Sequence, residues 1–269
     1  MTRLLASVAD LHEARLALAG GADIIDFKDP RRGALGALPA SVVAECVAIL
    51  NGFRETDHSP TGAQVSPLPG RERGGGEGDK DQHFSEHPRN LGVITSATIG
   101  DLPPEPVLLA AAAAEMAATG VTYVKIGFFG RGVPGECLET LAPLARRQRL
   151  VAVLFADLDP DLGAVECLAR AGFAGVMLDT AGKNGRGLRD CMAKADIARF
   201  VQSAREVGLL TGLAGSLKAS DIPVLLPVAP DYLGFRGAIC DGRSRTASLD
   251  SSALREVRAR IARRDAAAA

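Results

Sequence analysis

Short apolar runs rich in Val, Ile and Leu alternate along the chain with longer stretches in which apolar residues recur every three or four positions. A strand signal alternating with a helix signal in this way predicts βα units around a parallel sheet. Eight repeats follow, with strands at Arg3 to Ser7, Ile24 to Lys28, Gly92 to Ala97, Tyr123 to Ile126, Leu150 to Phe155, Ala174 to Asp179, Leu210 to Ala214 and Tyr232 to Arg236. A helical segment comes after each. The first, Asp10 to Ala19, opens on a residue able to cap it and closes at Gly20-Gly21, and the last, Asp250 to Arg263, opens on Asp250-Ser251-Ser252. Eight units predict the α/β class and a single (β/α)8 TIM barrel over residues 1–269. A doubly wound open sheet is the competing architecture. It would leave the last strands without an edge or reversal, and no Gly-x-Gly-x-x-Gly follows the first strand.

One stretch breaks the rhythm. Phe53 to Asn90, with Ser66-Pro67-Leu68-Pro69-Gly70 and Gly74-Gly75-Gly76, is polar, Gly- and Pro-rich and nearly free of β-branched residues. Such a segment cannot bury enough apolar surface to order itself, so it is expected to be a disordered insertion between helix 2 and strand 3, on the barrel face opposite the usual active site.

Charge and composition narrow the chemistry. With 31 basic against 32 acidic residues, no bulk field favours nucleic acid or an anionic membrane. No long uncharged apolar run predicts a membrane span, and no signal-like segment opens the chain. Five scattered cysteines, Cys46, Cys137, Cys167, Cys191 and Cys240, form no Cys-x-x-Cys pair, which argues for reduced thiols in a cytoplasm and against a disulfide framework or zinc site. His58, His83 and His87 fall in the insertion, leaving only His12 for folded sequence, so a histidine triad or metal cage is not expected. Only six of the basic residues are lysines, namely Lys28, Lys80, Lys125, Lys183, Lys194 and Lys218. In a chain that uses arginine for surface charge, the lysines are worth locating.

Barrel enzymes carry their chemistry where strands end and the following loops begin. Lys28 closes strand two, Lys125 lies within strand four, Lys183 follows strand six in the glycine-flanked Ala181-Gly182-Lys183-Asn184-Gly185, and Lys218 follows strand seven. Asp26 and Asp179 join them. Asp26 and Lys28 are two apart on one strand, so both side chains face the barrel interior, where Asp26 could orient the amine or move its protons. Enclosure among strand ends strips hydration from an ammonium and favours the neutral amine that attacks a carbonyl. A plain ion pair plugging the barrel is the other reading of Asp26 and Lys28. Lys125 is the only charge in a buried-type strand and needs an anionic partner or a chemical role. Lys183 reads equally as a loop lysine carried over a substrate or as an exposed surface charge. Gly215 and Ser216 after strand seven, with Arg236 and Gly237 after strand eight, sit where many barrels bind phosphate through backbone N–H groups. The glycines read alternatively as tight turns, and Arg236 as a pairing group within the barrel. Together these residues predict an enzyme acting on a phosphorylated aldehyde or ketone through a lysine, with Lys28 the candidate Schiff base.

Several ordered motifs also carry a resemblance. Gly20-Gly21-Ala22-Asp23-Ile24-Ile25-Asp26-Phe27-Lys28-Asp29-Pro30, Ser96-Ala97-Thr98-Ile99-Gly100-Asp101, Val124-Lys125-Ile126-Gly127, Met177-Leu178-Asp179-Thr180, Leu213-Ala214-Gly215-Ser216-Leu217 and Arg236-Gly237-Ala238 together resemble the (5-formylfuran-3-yl)methyl phosphate synthases of methanofuran biosynthesis. The resemblance spans the chain apart from the insertion and the terminal tail. It implies a barrel lyase that joins two molecules of glyceraldehyde 3-phosphate into 4-(hydroxymethyl)-2-furancarboxaldehyde phosphate with loss of phosphate and water. It implies no cofactor and no metal. Lys28 would be the Schiff-base lysine and Lys125 a proton acceptor, with Asp26, Asp179 and Lys183 supporting proton transfer. The expected partner is a small phosphorylated triose, and a homo-oligomer is compatible with the sequence.

Two other classes fit the same residues. One is a phosphosugar barrel isomerase, epimerase or aldolase, the first two abstracting a proton beside a carbonyl without covalent catalysis. The other is a non-catalytic phosphate-binding protein whose lysines only hold an anion.

Overall fold

The computed structural model describes residues 1–56, 93–182 and 185–265. Eight strands, β1 (Arg3–Val8), β2 (Ile24–Phe27), β3 (Thr95–Thr98), β4 (Tyr123–Phe128), β5 (Arg149–Phe155), β6 (Gly175–Asp179), β7 (Leu210–Leu213) and β8 (Tyr232–Phe235), pair in parallel and in sequence order. β8 pairs with β1 to close the barrel. The helices are α1 (Leu11–Ala19), α2 (Ala40–Thr56), α3 (Pro106–Ala117), α4 (Gly135–Ala145), α5 (Ala164–Arg170), the short α6 (Leu188–Cys191), α7 (Lys194–Glu206), the short α8 (Ile222–Leu225) and α9 (Ser251–Asp265). The expected (β/α)8 barrel is the observed fold.

Side-chain parity sorts the strand residues. Odd positions of β5, Val151, Val153 and Phe155, join Leu5, Ile24 and Met177 in an apolar cluster inside the barrel. The alternate positions, such as Ile25 and Phe27 on β2 or Val124, Ile126 and Phe128 on β4, pack outward against the helices. Because both strand faces are buried, the strands read as continuous apolar runs. A polar residue at an inward position is therefore conspicuous. Asp26 on β2 and Lys125 on β4 occupy such positions, and Lys28 continues the β2 parity beyond the strand. Lys28 keeps a ladder-type bond from its N–H to Val8 O at 3.0 Å, so its direction is fixed although β2 is assigned only to Phe27.

Helix ends follow local chemistry. Asp10 caps α1 by accepting from Glu13 N at 2.8 Å. The helix after β2 runs to Thr56, so residues 53–56, expected to open the insertion, continue α2 instead. Apolar Cys46, Val47 and Leu50 anchor that helix on the barrel. The remainder of the proposed insertion lies outside the described residues. Strand β4 extends to Phe128, two residues beyond the expected end, because pairing with β5 continues through Phe128 and Leu154. All five cysteines are unpaired, and no helix among the described residues is long and apolar enough to cross a membrane.

Candidate active site

A cavity of about 580 Å³ opens at the C-terminal end of the strands, within the range usual for small-molecule sites. It is off-centre. Leu35, from the loop after β2, stands over Gly127 and Phe155, and a Cβ on Gly127 would collide with it. Phe129 stacks on Phe155 with ring centroids 4.2 Å apart. These apolar groups fill the mouth above β4 and β5. The open part is bounded by β6, β7, β8, β1 and β2, with Lys125 reaching in from β4.

Four charges converge on the floor of the cavity. Lys125 Nζ lies 2.6 Å from Asp26 Oδ1, both groups being almost wholly buried. Ser96 Oγ donates to the same oxygen at 2.6 Å, and Ser7 Oγ donates to Asp26 Oδ2 at 2.9 Å. Asp26 is thus clamped from β1, β3 and β4. Lys28 Nζ is only loosely placed, 3.8 Å from Asp179 Oδ2. Asp179 in turn accepts from Thr180 N at 2.7 Å. The pairing is crossed relative to the expectation: Asp26 holds Lys125, two strands away on β4, rather than its strand neighbour Lys28. Strand parity gives a shared face, but the partner is set by which side chain reaches inward from the strand beyond β3.

Burial lowers the pKa of Lys125 below the ordinary lysine value, and the charge of Lys28 acts in the same sense while Asp26 opposes both. The anionic partner that Lys125 requires is present, which is why the buried ammonium is tolerable. Tyr232, buried inside the barrel, has its phenol pKa raised by desolvation and donates to Met177 Sδ at 3.5 Å. Gly212 makes room for that ring, since a Cβ there would overlap it.

The phosphate-site residues of the sequence reading divide. Gly215 (φ +99°) and Ser216 (φ +48°) both adopt left-handed backbone and line the cavity. A Cβ on Gly215 would press on Thr180 N and the Asp179 backbone, so glycine there lets the β7 loop lie against the end of β6. Gly237 begins a short 3₁₀ turn, Gly237–Ile239, and faces the same cavity. Its first N–H groups have no partner within such a turn. Arg236 is different. Nε donates to Arg245 O at 2.8 Å, Nη1 to Ser7 O at 3.1 Å and to Glu13, and Nη2 to Ala247 O at 2.8 Å and to Glu13 Oε1 at 3.1 Å. All five N–H bonds serve the protein, which corrects the expectation of a direct phosphate contact by Arg236. Of its two readings, pairing within the fold is the observed one.

Lys183 lies outside the described residues. The loop that carries it is anchored by Asp157, whose carboxylate accepts from Ala181 N at 2.7 Å and Gly182 N at 2.6 Å. Asp101 does the same for the loop after β2, accepting from Ala34 N at 2.7 Å and Leu35 N at 2.6 Å. Sequence reading missed Ser7 and Ser96 as site residues, although hydroxyls at inward positions of apolar strands are a usable signal. It also missed Arg245, which lines the cavity from the segment after β8 and carries no periodic signal. Among the described residues, no group of His, Cys, Asp and Glu could hold a metal ion. His12 is exposed on α1.

Comparison with known proteins gives a consistent result. The family model described as 4-HFC-P synthase matches residues 4–258. The (5-formylfuran-3-yl)methyl phosphate synthase of Methanocaldococcus jannaschii is 34% identical over 95% of this chain and 97% of its own. That of Methanopyrus kandleri is 33% identical over 90% and 91%, respectively. Among solved structures, 3-hexulose-6-phosphate synthase from Salmonella typhimurium superposes with a TM-score of 0.58 at 13% identity, covering 97% of this chain and 99% of its own. At that identity the likeness concerns the fold alone.

Proposed function

This chain belongs to the 4-HFC-P synthase family, and on that premise we propose that it condenses two molecules of glyceraldehyde 3-phosphate into 4-(hydroxymethyl)-2-furancarboxaldehyde phosphate, as a lyase of methanofuran biosynthesis. One phosphate and two molecules of water leave. The observation that carries the reading is the unequal footing of the two buried lysines. Lys125 is locked onto Asp26 at 2.6 Å, whereas Lys28 faces the cavity with Asp179 at 3.8 Å.

Lys28 Nζ attacks a substrate carbonyl in this reading, a role its cavity-facing position supports. Loss of water from the resulting carbinolamine gives an iminium that acidifies the adjacent carbon. A base removes that proton, and the carbon nucleophile so formed joins the aldehyde of a second triose. Lys125 fits the base role, since burial favours its neutral form. Asp26 receives and returns protons through Lys125 and is kept oriented by Ser7 and Ser96. Asp179 lies on the other side of Lys28 and serves the carbinolamine step, with Lys183 supporting from its loop. Dehydration and phosphate elimination then close the furan, and hydrolysis of the iminium returns one water's atoms, frees the product aldehyde and restores the Lys28 amine. Gly215, Ser216 and Gly237 supply backbone and hydroxyl donors to a substrate phosphate, and Arg236 holds that loop in place.

The test is incubation of the purified chain with glyceraldehyde 3-phosphate, following furan absorbance and released phosphate. Formation of both in equal amounts is expected. A chain that interconverts triose phosphates without forming a furan would contradict the proposal in favour of a non-covalent isomerase.

A further inference from the structure

The cavity must answer the charge of its ligands. Among the described residues, Lys28 and Lys125 are matched by Asp26 and Asp179, so these four groups bring no surplus positive charge to a phosphate. Among the described residues, four other cations line the cavity: Lys218, Arg236, Arg243 and Arg245. Arg236 spends every N–H on protein acceptors. Arg243 is exposed and divides its guanidinium between Ala238 O and Glu256. Lys218 is exposed on the β7 side, where water and salt screen it.

Arg245 differs from all three. It is half-buried, and its hydrogen bond to the protein runs from Nη2 to Gly33 O at 2.9 Å. No carboxylate among the described residues forms an ion pair with it; Asp179, Asp101 and Asp29 act on it only at longer range, against a burial that disfavours its charge. An anion entering the cavity would offset that burial. Its placement is fixed at both ends. The backbone carbonyl of Arg245 accepts from Arg236 Nε, and its guanidinium reaches the loop after β2. Since β1 lies between β8 and β2, the side chain spans the end of β1 and stands on the Lys28 side of the mouth. The Gly215–Ser216 cradle lies at the end of β7.

We propose that Arg245 anchors the phosphate of the second triose, at a subsite separate from the Gly215–Ser216 cradle after β7. The inference rests on the two-substrate reading above. With one N–H fixed on Gly33, the planar guanidinium keeps further donors for a bidentate phosphate contact, which a lysine ammonium does not reproduce.

Glycerol 3-phosphate, which carries the phosphate and lacks the carbonyl, separates the subsite from the chemistry. Titrated calorimetrically into the full chain it is expected to fill two sites, and Arg245→Gln is expected to fill one. Arg245→Lys retains the second site with affinity reduced by about tenfold. In turnover assays Arg245→Gln raises KM for glyceraldehyde 3-phosphate by at least about tenfold, with a smaller change in kcat. Equal stoichiometry and affinity in wild type and Arg245→Gln overturns the proposal. Two sites in the wild type, one lost in Arg245→Gln, but no furan from glyceraldehyde 3-phosphate would uphold the subsite and contradict the reaction. Furan formation that Arg245→Gln leaves unchanged would do the reverse.

Discussion

Two pairs of opposite charge are buried at the same end of this barrel, and they are finished differently. Glu13 and Arg236 form a closed unit: all five guanidinium N–H bonds are used, and the Glu13 carboxylate also accepts from Ala9 N and Leu249 N. Burial works to raise the Glu13 pKa, but the Arg236 and backbone hydrogen bonds outweigh it and hold the group below its ordinary value. Lys28 and Asp179 stand 3.8 Å apart beside a cavity, with nothing of comparable completeness around the amine. A satisfied buried pair ties α1 to the ends of β1 and β8. The loosely paired Lys28 amine instead faces the cavity, where a ligand can reach it. Completeness of hydrogen bonding, rather than burial, separates scaffold from chemistry here.

The largest effect expected on that contrast comes from the open pair. Lys28→Ala should reduce turnover by at least about 10³-fold, with a smaller fall in melting temperature than the closed pair gives, because Asp179 loses its counter-charge beside a cavity that admits water. Comparable turnover in the variant would mean that the open pair is not the nucleophilic one. The closed pair should behave oppositely. Glu13→Gln leaves Arg236 buried without its counter-charge and should cost roughly 3 kcal/mol, lowering the melting temperature by about 6–12 °C for a domain of this size. Turnover per folded molecule should fall far less than in Lys28→Ala, and thermal denaturation beside single-turnover assays measures both.

A third pair, Asp26 and Lys125, is intermediate, and pH sharpens its role. Acting as a base, Lys125 works in its neutral form, so kcat/KM should rise with pH through its pKa, below the usual lysine range. The negative charge of Asp26 pushes that pKa upward. Asp26→Asn removes the push, and the rising limb should move to lower pH as the maximum falls; a limb displaced to higher pH would exclude Lys125 as the base. The smallest effect belongs to the clamp on Asp26. Ser96→Ala deletes one buried hydroxyl bond and should lower kcat by roughly tenfold or less, from a net loss of about 1 kcal/mol. The double variant Ser96→Ala with Ser7→Ala, read against the singles, reports whether the two hydroxyls act on one carboxylate.

Strand parity made the barrel and the inward direction of Asp26 and Lys125 legible in the sequence, because a charge in an apolar run has few structural uses. The composition of the lysines pointed to the same end of the barrel. Pairing between strands was not legible: that Asp26 meets Lys125 depends on the register of β2, β3 and β4, which no local pattern encodes. Arg236 reads in sequence as a strand-end cation near a phosphate loop. Its commitment to Glu13, more than two hundred residues away in the chain, appears only when α1 and β8 are brought together. Arg245 and the loop anchors Asp101 and Asp157 escaped for a related reason, since loop residues have no period to betray their direction.

The proposed chemistry stands or falls on whether Lys28, rather than the better-paired Lys125, forms the covalent intermediate. Borohydride added during turnover of glyceraldehyde 3-phosphate, followed by peptide mass spectrometry, tests it directly. A reduced triose phosphate adduct on Lys28, absent without borohydride and absent in Lys28→Ala, is the predicted result. An adduct on Lys125, or furan production with no adduct on either lysine, would contradict the account.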